Sequence, residues 1–355
     1  MFKVLSEAAQ LEGLREFKTV DMVRRLGVIT ADRVHLKNYP IENPTTIFNG
    51  SLIVEKETVR FYLRIVVGYF TYTSAVVMLE TSLTDISEGY LSTSHYPVEL
   101  VVHPDTEYDC WGVEDPRVYK IEDKLMMTYC GRTVNYFNPA IRFERTLPIT
   151  AVSEDWKNWR KTHIFKLSKR MRKFVISDKD AFLLKTKRGG LFLLHRPHLR
   201  DENFYLVVST VPENILKKEG DEPSEVSVAD TTVVMNPAKF ESKIGWATPP
   251  VEVGNDEYLL LVHAEDKRIC YRIFAVLMSY REGIRLTAIT PHYIMEPKMS
   301  YEIYGERPYT VFPCGIQKID DKLLITYGAA DSAVGVGEIE MDRLLSILDK
   351  HRLKE

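Results

Sequence analysis

The sequence is poor in cysteine, and its few cysteines form no cluster. Four of the 355 residues are cysteine, namely Cys110, Cys130, Cys270 and Cys314, and no two of them are spaced as a CxxC pair. This pattern argues against a fold held by many disulfides and against a cysteine-based zinc site. We therefore expect reduced, buried thiols in a cytoplasmic protein that holds no metal and no cofactor.

Net charge and long apolar runs are also scarce. The 47 basic and 50 acidic residues leave a formal charge of −3, which gives no electrostatic reason to expect nucleic acid or an anionic membrane as a partner. No apolar run approaches the ~20 residues that cross a bilayer. The first residues, MFKVLSEAAQLEGLREF, include acidic side chains and no apolar secretory core. We read them as the start of the mature protein.

What the sequence does have is a fivefold internal repeat. In each unit an apolar run ends in one polar residue, and these residues follow one another at intervals of 65, 66, 68 and 64 positions. A second landmark precedes each run end by 14 or 15 residues. The run ends are Arg64, Tyr129, His195, His263 and Tyr327, and the preceding landmarks are Asn49, Asp115, Asp180, Thr248 and Pro313.

The period and the local pattern predict the fold class. Short β-branched and aromatic runs broken by Gly, Pro, Asn and Asp indicate strands, and about 65 residues accommodate four strands with their turns. A solenoid repeat is usually shorter, and chance spacing would not keep both landmarks in all five units. We predict an all-β protein, a five-bladed β-propeller forming one domain over 1–355. Short helical extensions are expected at about 1–25 and 341–355, and the sequence leaves open whether they cover a propeller face or mediate contacts in a homo-oligomer.

The motif GVEDPRV holds the strongest candidate for an acid. Pro116 is expected to push Asp115 toward an extended conformation. Adjacent strand residues point to opposite faces, so only one of Glu114 and Asp115 should face the propeller axis, and the repeat favours Asp115. The alternative is that Asp115 caps a turn and pairs with Arg117.

Two further sets of polar residues fall beside the repeat landmarks. One set of donors and acceptors suits the hydroxyl groups of a sugar: Asn49, Ser51, Arg64, Asp180, His263 and Asp331, to which we add Tyr271. The other set is cationic and suits an anion such as phosphate: Arg132, Arg145, Lys179, and His195 with Arg196 beside it.

Several segments together resemble glycoside hydrolase family 130 over about residues 40–340. They are GVEDPRV, KDAFLLKTKRGGLFLLHRP, KIGWATPPVEVGNDEYLLLVH, YEIYGERPYTVFPCG and ITYGAADSAVGVGEI. The resemblance implies a five-bladed propeller that acts on β-mannosides, in most members as a phosphorylase and in some as a hydrolase. It implies an inverting reaction in which inorganic phosphate, as co-substrate, attacks the anomeric carbon and releases α-mannose 1-phosphate.

The same resemblance implies roles for particular residues. Asp115 matches the general acid, which in the family can pass its proton through a mannose hydroxyl. The phosphate pocket maps onto Arg132, Arg145, Lys179 and His195, and the mannosyl unit onto Asn49, Ser51, Arg64 and Asp331.

Departures from the family pattern leave the acceptor and the linkage open. His263-Ala264 stands where the family usually has a His-Gly pair, and Ile273-Phe274 stands where it has two small residues. FNGS replaces an FNP-type segment, and WATPP replaces a more glycine-rich stretch. Both β-1,2 and β-1,4 linkages fit. Two other functions remain: a β-mannoside hydrolase that uses Glu265 or Asp266 as a base, and a sugar-binding propeller without catalysis.

Overall fold

The computed structural model describes residues 2–11, 13–68, 71–217, 220, 222–254, 256–281 and 283–354. The strands, in chain order, are β1 (Lys3–Val4), β2 (Val23–Thr30), β3 (Val34–Leu36), β4 (Thr46–Glu55), β5 (Thr58–Gly68), β6 (Thr73–Ser82), β7 (Tyr96–Val102), β8 (Val113–Ile121), β9 (Lys124–Arg132), β10 (Thr146–Ser153), β11 (Trp159–Lys166), β12 (Val175–Lys185), β13 (Leu191–Leu199), β14 (Leu206–Val211), β15 (Ser224–Ser227), β16 (Ala229–Met235), β17 (Glu241–Trp246), β18 (Val251–Gly254), β19 (Glu257–Asp266), β20 (Tyr271–Ser279), β21 (Arg285–Ile289), β22 (Val311–Ile319), β23 (Lys322–Ala329) and β24 (Ala333–Glu340).

Helical structure is sparse. The α-helices are α1 (Leu83–Ser87), α2 (Lys169–Arg172), α3 (Ser300–Ile303) and α4 (Met341–Lys350), and short 3₁₀ helices span Ser6–Leu11, Ala31–Arg33, Tyr90–Ser92 and Glu213–Lys217. No helix within the described ranges has both the length and the apolar character needed to cross a membrane.

The strands form five sheets, each built around a meander of neighbouring antiparallel strands, and the predicted five-bladed propeller is confirmed. From the inside outward the blades are β4-β5-β6-β7-β3, β8-β9-β10-β11-β15, β12-β13-β14-β16-β1, β17-β19-β20-β21 with β18 also beside β19, and β22-β23-β24-β2. The innermost strands contact one another around the ring. Apolar side chains such as Trp246 and Phe274 fill the space between blades.

The ring closes through the N-terminal part of the chain. Strand β2 pairs antiparallel with β24, with Val23 opposite Ile339 and Thr30 opposite Ala333. The last blade therefore takes its outer strand from the beginning of the sequence, which covers an otherwise open sheet edge. The predicted N-terminal extension supplies a short helix at Ser6–Leu11 but ends earlier than expected, because residues 23–25 already belong to β2.

The C-terminal extension forms the helix that the sequence predicts. Helix α4 buries Leu344 and Leu348 against the neighbouring blades. Its apolar positions recur at helical spacing, which accounts for a helix directly after an outer strand. Residues 1, 12 and 355 of the two predicted extensions lie outside the described residues.

The repeated landmarks coincide with interruptions of the innermost strands. The pairing register shifts between Phe48 and Ser51 in β4, and between Glu114 and Arg117 in β8. Equivalent shifts fall at Lys179–Phe182 in β12 and Pro313–Gly315 in β22, while blade four breaks between β17 and β18. A β-bulge bends the strand and redirects its side chains. The earlier landmark of each sequence repeat thus marks an irregularity in an innermost strand, and these irregularities form a ring around the axis.

Candidate active site

A cavity of about 200 Å³ lies among the innermost strands. All five blades contribute to it, for example through Asn49, Asp115, Asp180, Lys243 and Phe312. Nine of the residues selected from the sequence line this cavity: Asn49, Arg64, Asp115, Arg132, Lys179, Asp180, Arg196, Tyr271 and Asp331. The structure therefore brings most of the two predicted polar sets to one place.

Asp115 is held by two donors from the first blade. Asn49 Nδ2 and Arg64 Nη1 each donate to Asp115 Oδ1 at 2.8 Å. The carboxyl is nearly buried, and no described side chain donates to its Oδ2. One oxygen is thus fixed while the other stays available to a ligand in the cavity.

Two expectations about this motif are wrong. Asp115 has a φ of 52°, in the left-handed region, and not the extended conformation expected from Pro116. Glu114 also lines the cavity, so the two neighbours do not point to opposite faces. Both corrections have one cause, because the bulge at 114–117 suspends the strand alternation on which the predictions relied.

The alternative pairing of Asp115 with Arg117 is not what the structure shows. Arg117 Nη1 donates to the main-chain oxygen of Asp115 at 3.0 Å. Its other groups donate to the carbonyl oxygens of Ala247 and Trp246 and to Asp180 Oδ1. Arg117 therefore fastens blades two, three and four at the axis and leaves the Asp115 carboxyl to the cavity.

Glu114 organises three cations on one wall of the cavity. Arg132 binds it with two nitrogens, Nε at 2.8 Å and Nη2 at 3.1 Å, while Arg64 Nη2 and Lys179 Nζ approach to 3.0 and 2.9 Å. Burial opposes the charge of this carboxyl, but Arg132, Arg64 and Lys179 hold its pKa well below the usual range. One fixed carboxylate thus sets the positions of three positive groups.

Asp180 is a second buried carboxylate, and it anchors Arg196 of its own blade and His263 of the fourth blade. Arg196 Nε and His263 Nε2 both donate to its Oδ2, the latter at 2.9 Å. Burial opposes ionisation, yet Arg196, His263 and Arg117 hold the pKa of Asp180 well below its ordinary value.

His263 does not line the cavity, although the sequence placed it in the substrate-binding set. Burial lowers the pKa of its imidazole to about 4, so the ring is neutral and its Nε2 carries the proton that Asp180 accepts. The side chain is fully buried. His263 therefore reaches the cavity only indirectly, through its hydrogen bond to Asp180.

The structure also places Ser51, His195 and Arg145 outside the cavity lining. Ser51 Oγ accepts a hydrogen bond from Val118 N at 2.9 Å and so joins blades one and two. His195 has both ring nitrogens engaged, with Asp178 Oδ2 at 2.7 Å and Ser209 Oγ at 2.8 Å. Arg145 binds the carbonyl oxygens of the loop at 136–141, among them Ile141 O at 2.7 Å. None of the three is positioned to touch a ligand in the cavity.

Strand geometry explains why Arg196 takes the place expected of His195. Lys179 pairs with Arg196 across β12 and β13, and both side chains line the cavity. Adjacent residues of a strand face opposite sides, so His195 turns away into the blade. The cationic pattern of the sequence did include Arg196, but it gave no reason to prefer it.

Lys243 and Arg307 are cavity residues that sequence reasoning missed. Both bind Glu265 Oε2, at 2.7 and 3.2 Å. Burial lowers the pKa of Lys243, and the nearby Arg196 adds to this effect. The one signal in the sequence is that Lys243 and Arg307 lie in two of the segments that carry the family resemblance, KIGWATPPVEVGNDEYLLLVH and YEIYGERPYTVFPCG.

The cavity has an excess of positive groups. Six basic side chains line it against four carboxyls; the basic ones are Arg64, Arg132, Lys179, Arg196, Lys243 and Arg307, and the acidic ones Glu114, Asp115, Asp180 and Asp331. Such an excess of positive charge in one cavity favours an anionic ligand. Among the described residues, no group of three His, Cys, Asp or Glu side chains is arranged to hold a metal ion.

Asp331 differs from the other carboxyls of the cavity. Burial raises the pKa of Asp331 to about 6 from its usual 3.8, although Arg307 and Arg64 oppose this. Between about pH 4 and 6, Asp331 therefore keeps its proton in the folded protein but loses it in the unfolded chain. The contribution of Asp331 to the free energy of unfolding consequently falls as the pH rises.

Asp331→Asn should remove that dependence. The stability of the variant relative to the wild type should increase as the pH rises from 4 to 8, because only the wild type must then hold a charged carboxylate in this site. Thermal melts of both proteins across this range measure the effect. Asp123→Asn, at an exposed turn, serves as the control, and a stability difference between wild type and Asp331→Asn that does not change with pH would contradict the assignment.

Gly328 is needed for the position of Asn49. A Cβ at Gly328 would lie 1.8 Å from Asn49 Oδ1. Gly328→Ala should therefore displace the Asn49 amide from Asp115 and lower the free energy of unfolding by about 1–3 kcal/mol.

Gly68→Ala is the matched control for that variant, because a Cβ there meets only Thr71 Oγ1 at an ordinary 3.7 Å. Denaturant unfolding should show little change for Gly68→Ala and a clear loss for Gly328→Ala. Equal stability of the two variants would contradict the close approach.

Comparison with known proteins adds a family and a set of relatives. A family model for glycoside hydrolase family 130, described as beta-1,4-mannooligosaccharide phosphorylase, matches residues 13–350. A beta-1,2-mannobiose phosphorylase of Thermoanaerobacter sp. (strain X514) is 28% identical over 331 residues, 87% of this chain and 97% of the relative.

Two further relatives are informative. A 1,2-beta-oligomannan phosphorylase of the same Thermoanaerobacter strain is 29% identical over 246 residues, 68% of this chain and 72% of the relative. The structure of a beta-1,2-mannobiose phosphorylase from Listeria innocua in complex with beta-1,2-mannobiose matches with a TM-score of 0.69 at 17% identity, over 93% of this chain and 97% of that one. At this identity the structural match speaks for the fold.

Proposed function

The chain belongs to glycoside hydrolase family 130, and from this we propose that it is an inverting phosphorylase of β-1,2-mannosides that forms α-mannose 1-phosphate. The observation that carries the proposal is the position of the Asp115 carboxyl in one cavity with six basic side chains. The linkage is proposed from the relatives, since both curated phosphorylases described above are named for β-1,2-mannosides.

The first, second and fifth blades supply the proposed sugar site. Asn49, Arg64 and Asp331 stand around Asp115 with donors and acceptors for hydroxyl groups. Asp115 serves as the general acid. Its Oδ2 gives a proton, directly or through a mannose hydroxyl, to the glycosidic oxygen as the bond from that oxygen to the anomeric carbon breaks.

The second, third and fourth blades supply the proposed phosphate site. Arg132, Lys179, Arg196 and Lys243 face the cavity, and Arg132 binds Glu114 through Nε and Nη2, which leaves Nη1 for a ligand. Burial opposes the charge of Lys179, but Glu114 raises its pKa, so it stays cationic. Fixed cations of this kind hold the dianion and stabilise the charge that moves during transfer.

With phosphate as the nucleophile, the reaction needs no second carboxylate. A phosphate oxygen forms the new bond to the anomeric carbon on the face opposite the leaving oxygen, so the configuration inverts from β to α. This departs from ordinary inverting glycosidases, in which a carboxylate base activates water. We propose that no cofactor takes part.

A hydrolase is the second candidate, and the raised pKa of Asp331 is the observation in its favour. A carboxyl whose pKa is about 6 is suited to accept a proton from water near neutral pH. Glu265 and Asp266, the bases suggested by the sequence, are less suited. Glu265 is bound by Lys243 and Arg307, which lower its pKa against the effect of burial, and Asp266 is bound by Arg272.

The experiment that separates these functions varies the phosphate concentration. The purified protein is incubated with β-1,2- or β-1,4-mannobiose, from no phosphate to saturating phosphate, and both mannose and mannose 1-phosphate are assayed. We expect mannose 1-phosphate to appear in proportion to phosphate occupancy, and faster from the β-1,2 substrate. Release of free mannose at a rate independent of phosphate would favour the hydrolase.

A further inference from the structure

The cavity is too small for a whole oligosaccharide. Its volume of about 200 Å³ is below the ~300–1,000 Å³ of pockets that enclose ligands of drug size. It therefore accommodates the reacting mannosyl unit and phosphate, and any longer acceptor chain must continue out of the cavity over its rim.

An aromatic cluster borders the cavity where blades one and two meet. Tyr72 follows β5, and Tyr136 and Phe137 lie in the loop between β9 and β10. Ring centroids of Tyr72 and Tyr136 are 5.1 Å apart, and those of Tyr136 and Phe137 are 5.2 Å apart. Tyr72 and Tyr136 line the cavity, whereas Phe137 does not, so the cluster continues from the lining to the outer surface.

The cluster is exposed and yet held in place. Tyr136 is 46% and Phe137 59% exposed. Arg145 binds the main-chain oxygen of Tyr136, the Arg132 guanidinium lies 4.7 Å from the Tyr136 ring, and Tyr72 OH donates to Glu306 Oε2 at 3.0 Å. Contacts from blades two and five thus preorganise an apolar surface that faces water.

We propose that Tyr72, Tyr136 and Phe137 form a binding platform for acceptor sugar units beyond the one next to the scissile bond, and that the platform makes the protein prefer oligosaccharides to disaccharides. This rests on the proposed phosphorylase function. The C–H faces of a pyranose ring are apolar and pack on aromatic rings, while its hydroxyl groups remain in water or bind the Tyr72–Glu306 pair. Chain length is a property in which the relatives differ, since one is named for mannobiose and another for oligomannan.

Phe137→Ala is the most selective test, because Phe137 packs on Tyr72 and Tyr136 without lining the cavity itself. Phosphorolysis of β-1,2-linked mannobiose, mannotriose and mannotetraose is measured for the wild type, Phe137→Ala, Phe137→Trp and the control Phe174→Ala, which removes an exposed phenylalanine of another blade. We expect Phe137→Ala to lose about three- to tenfold in kcat/KM for the tetraose, with little change for the biose. Phe137→Trp and Phe174→Ala should keep the wild-type profile.

Each outcome bears on the proposal. An unchanged tetraose-to-biose ratio in Phe137→Ala overturns the platform but leaves the phosphorylase intact. An unchanged ratio together with a changed oligomeric state, measured by sedimentation, would assign the cluster to contacts between copies of the chain. If the wild type cleaves mannosides without phosphate, the proposed phosphorylase function is wrong, but the tetraose-to-biose ratio of hydrolysis rates still tests the platform. If no mannoside is turned over, both the proposed function and the platform are wrong.

Discussion

Asp115→Asn should reduce the turnover number for phosphorolysis by ~10²–10⁴-fold, the contribution typical of a positioned general acid. Asparagine retains the shape of the side chain and an oxygen that can accept from Asn49 Nδ2 and Arg64 Nη1. It lacks the proton that the leaving oxygen must receive. The loss should therefore appear in kcat, with a smaller change in KM for the mannoside.

Two controls show that the loss is chemical. The thermal unfolding temperature of Asp115→Asn should stay near that of the wild type, and Asp123→Asn, at an exposed turn on the same blade, should keep full activity. Nearly normal turnover by a correctly folded Asp115→Asn protein would remove Asp115 from the mechanism.

Lys179→Gln should raise the KM for phosphate by about 10- to 100-fold, which corresponds to the loss of one charge-assisted hydrogen bond. Lys179 Nζ binds Glu114 through one contact at 2.9 Å and faces the cavity, so its remaining protons are available to the proposed phosphate. Glutamine keeps a donor for Glu114 but loses the charge. The KM for the mannoside should change much less, because the proposed sugar site lies on the first, second and fifth blades.

The matched control is Lys173→Gln, which removes a lysine from the exposed basic loop after α2. It should leave both KM values unchanged, whereas a general effect of net charge would shift the phosphate KM in both variants. If Lys179→Gln leaves the phosphate KM unchanged, the anion site does not lie on that wall of the cavity.

The sequence predicts the blade architecture because each blade repeats the same physical pattern. An apolar run ends in a polar residue in every unit, so Arg64, Tyr129, His195, His263 and Tyr327 occupy equivalent strands β5, β9, β13, β19 and β23. The landmarks Asn49, Asp115 and Asp180 also reach the axis together. Periodicity locates a residue on a strand and a strand in a blade.

Periodicity does not give the direction of a side chain at a bulge. Asn49, Asp115 and Asp180 all have positive φ values, of 46°, 52° and 54°, which sequence alone does not indicate for Asp115 before a proline. Whether Glu114 lines the cavity, and whether Arg196 or His195 does so, both depend on the strand register across these bulges. The pairing of β2 with β24 is likewise a contact between chain ends that no local pattern predicts.

The identity and the anomeric configuration of the product decide whether the protein is an inverting phosphorylase. β-1,2-Mannobiose and an equal amount of inorganic phosphate are incubated with the protein, and the reaction is followed by ³¹P and ¹H NMR. We expect α-mannose 1-phosphate in a one-to-one ratio with released mannose. Free mannose with unchanged phosphate, or the β-anomer of mannose 1-phosphate, would contradict an inverting phosphorylase with Asp115 as its acid.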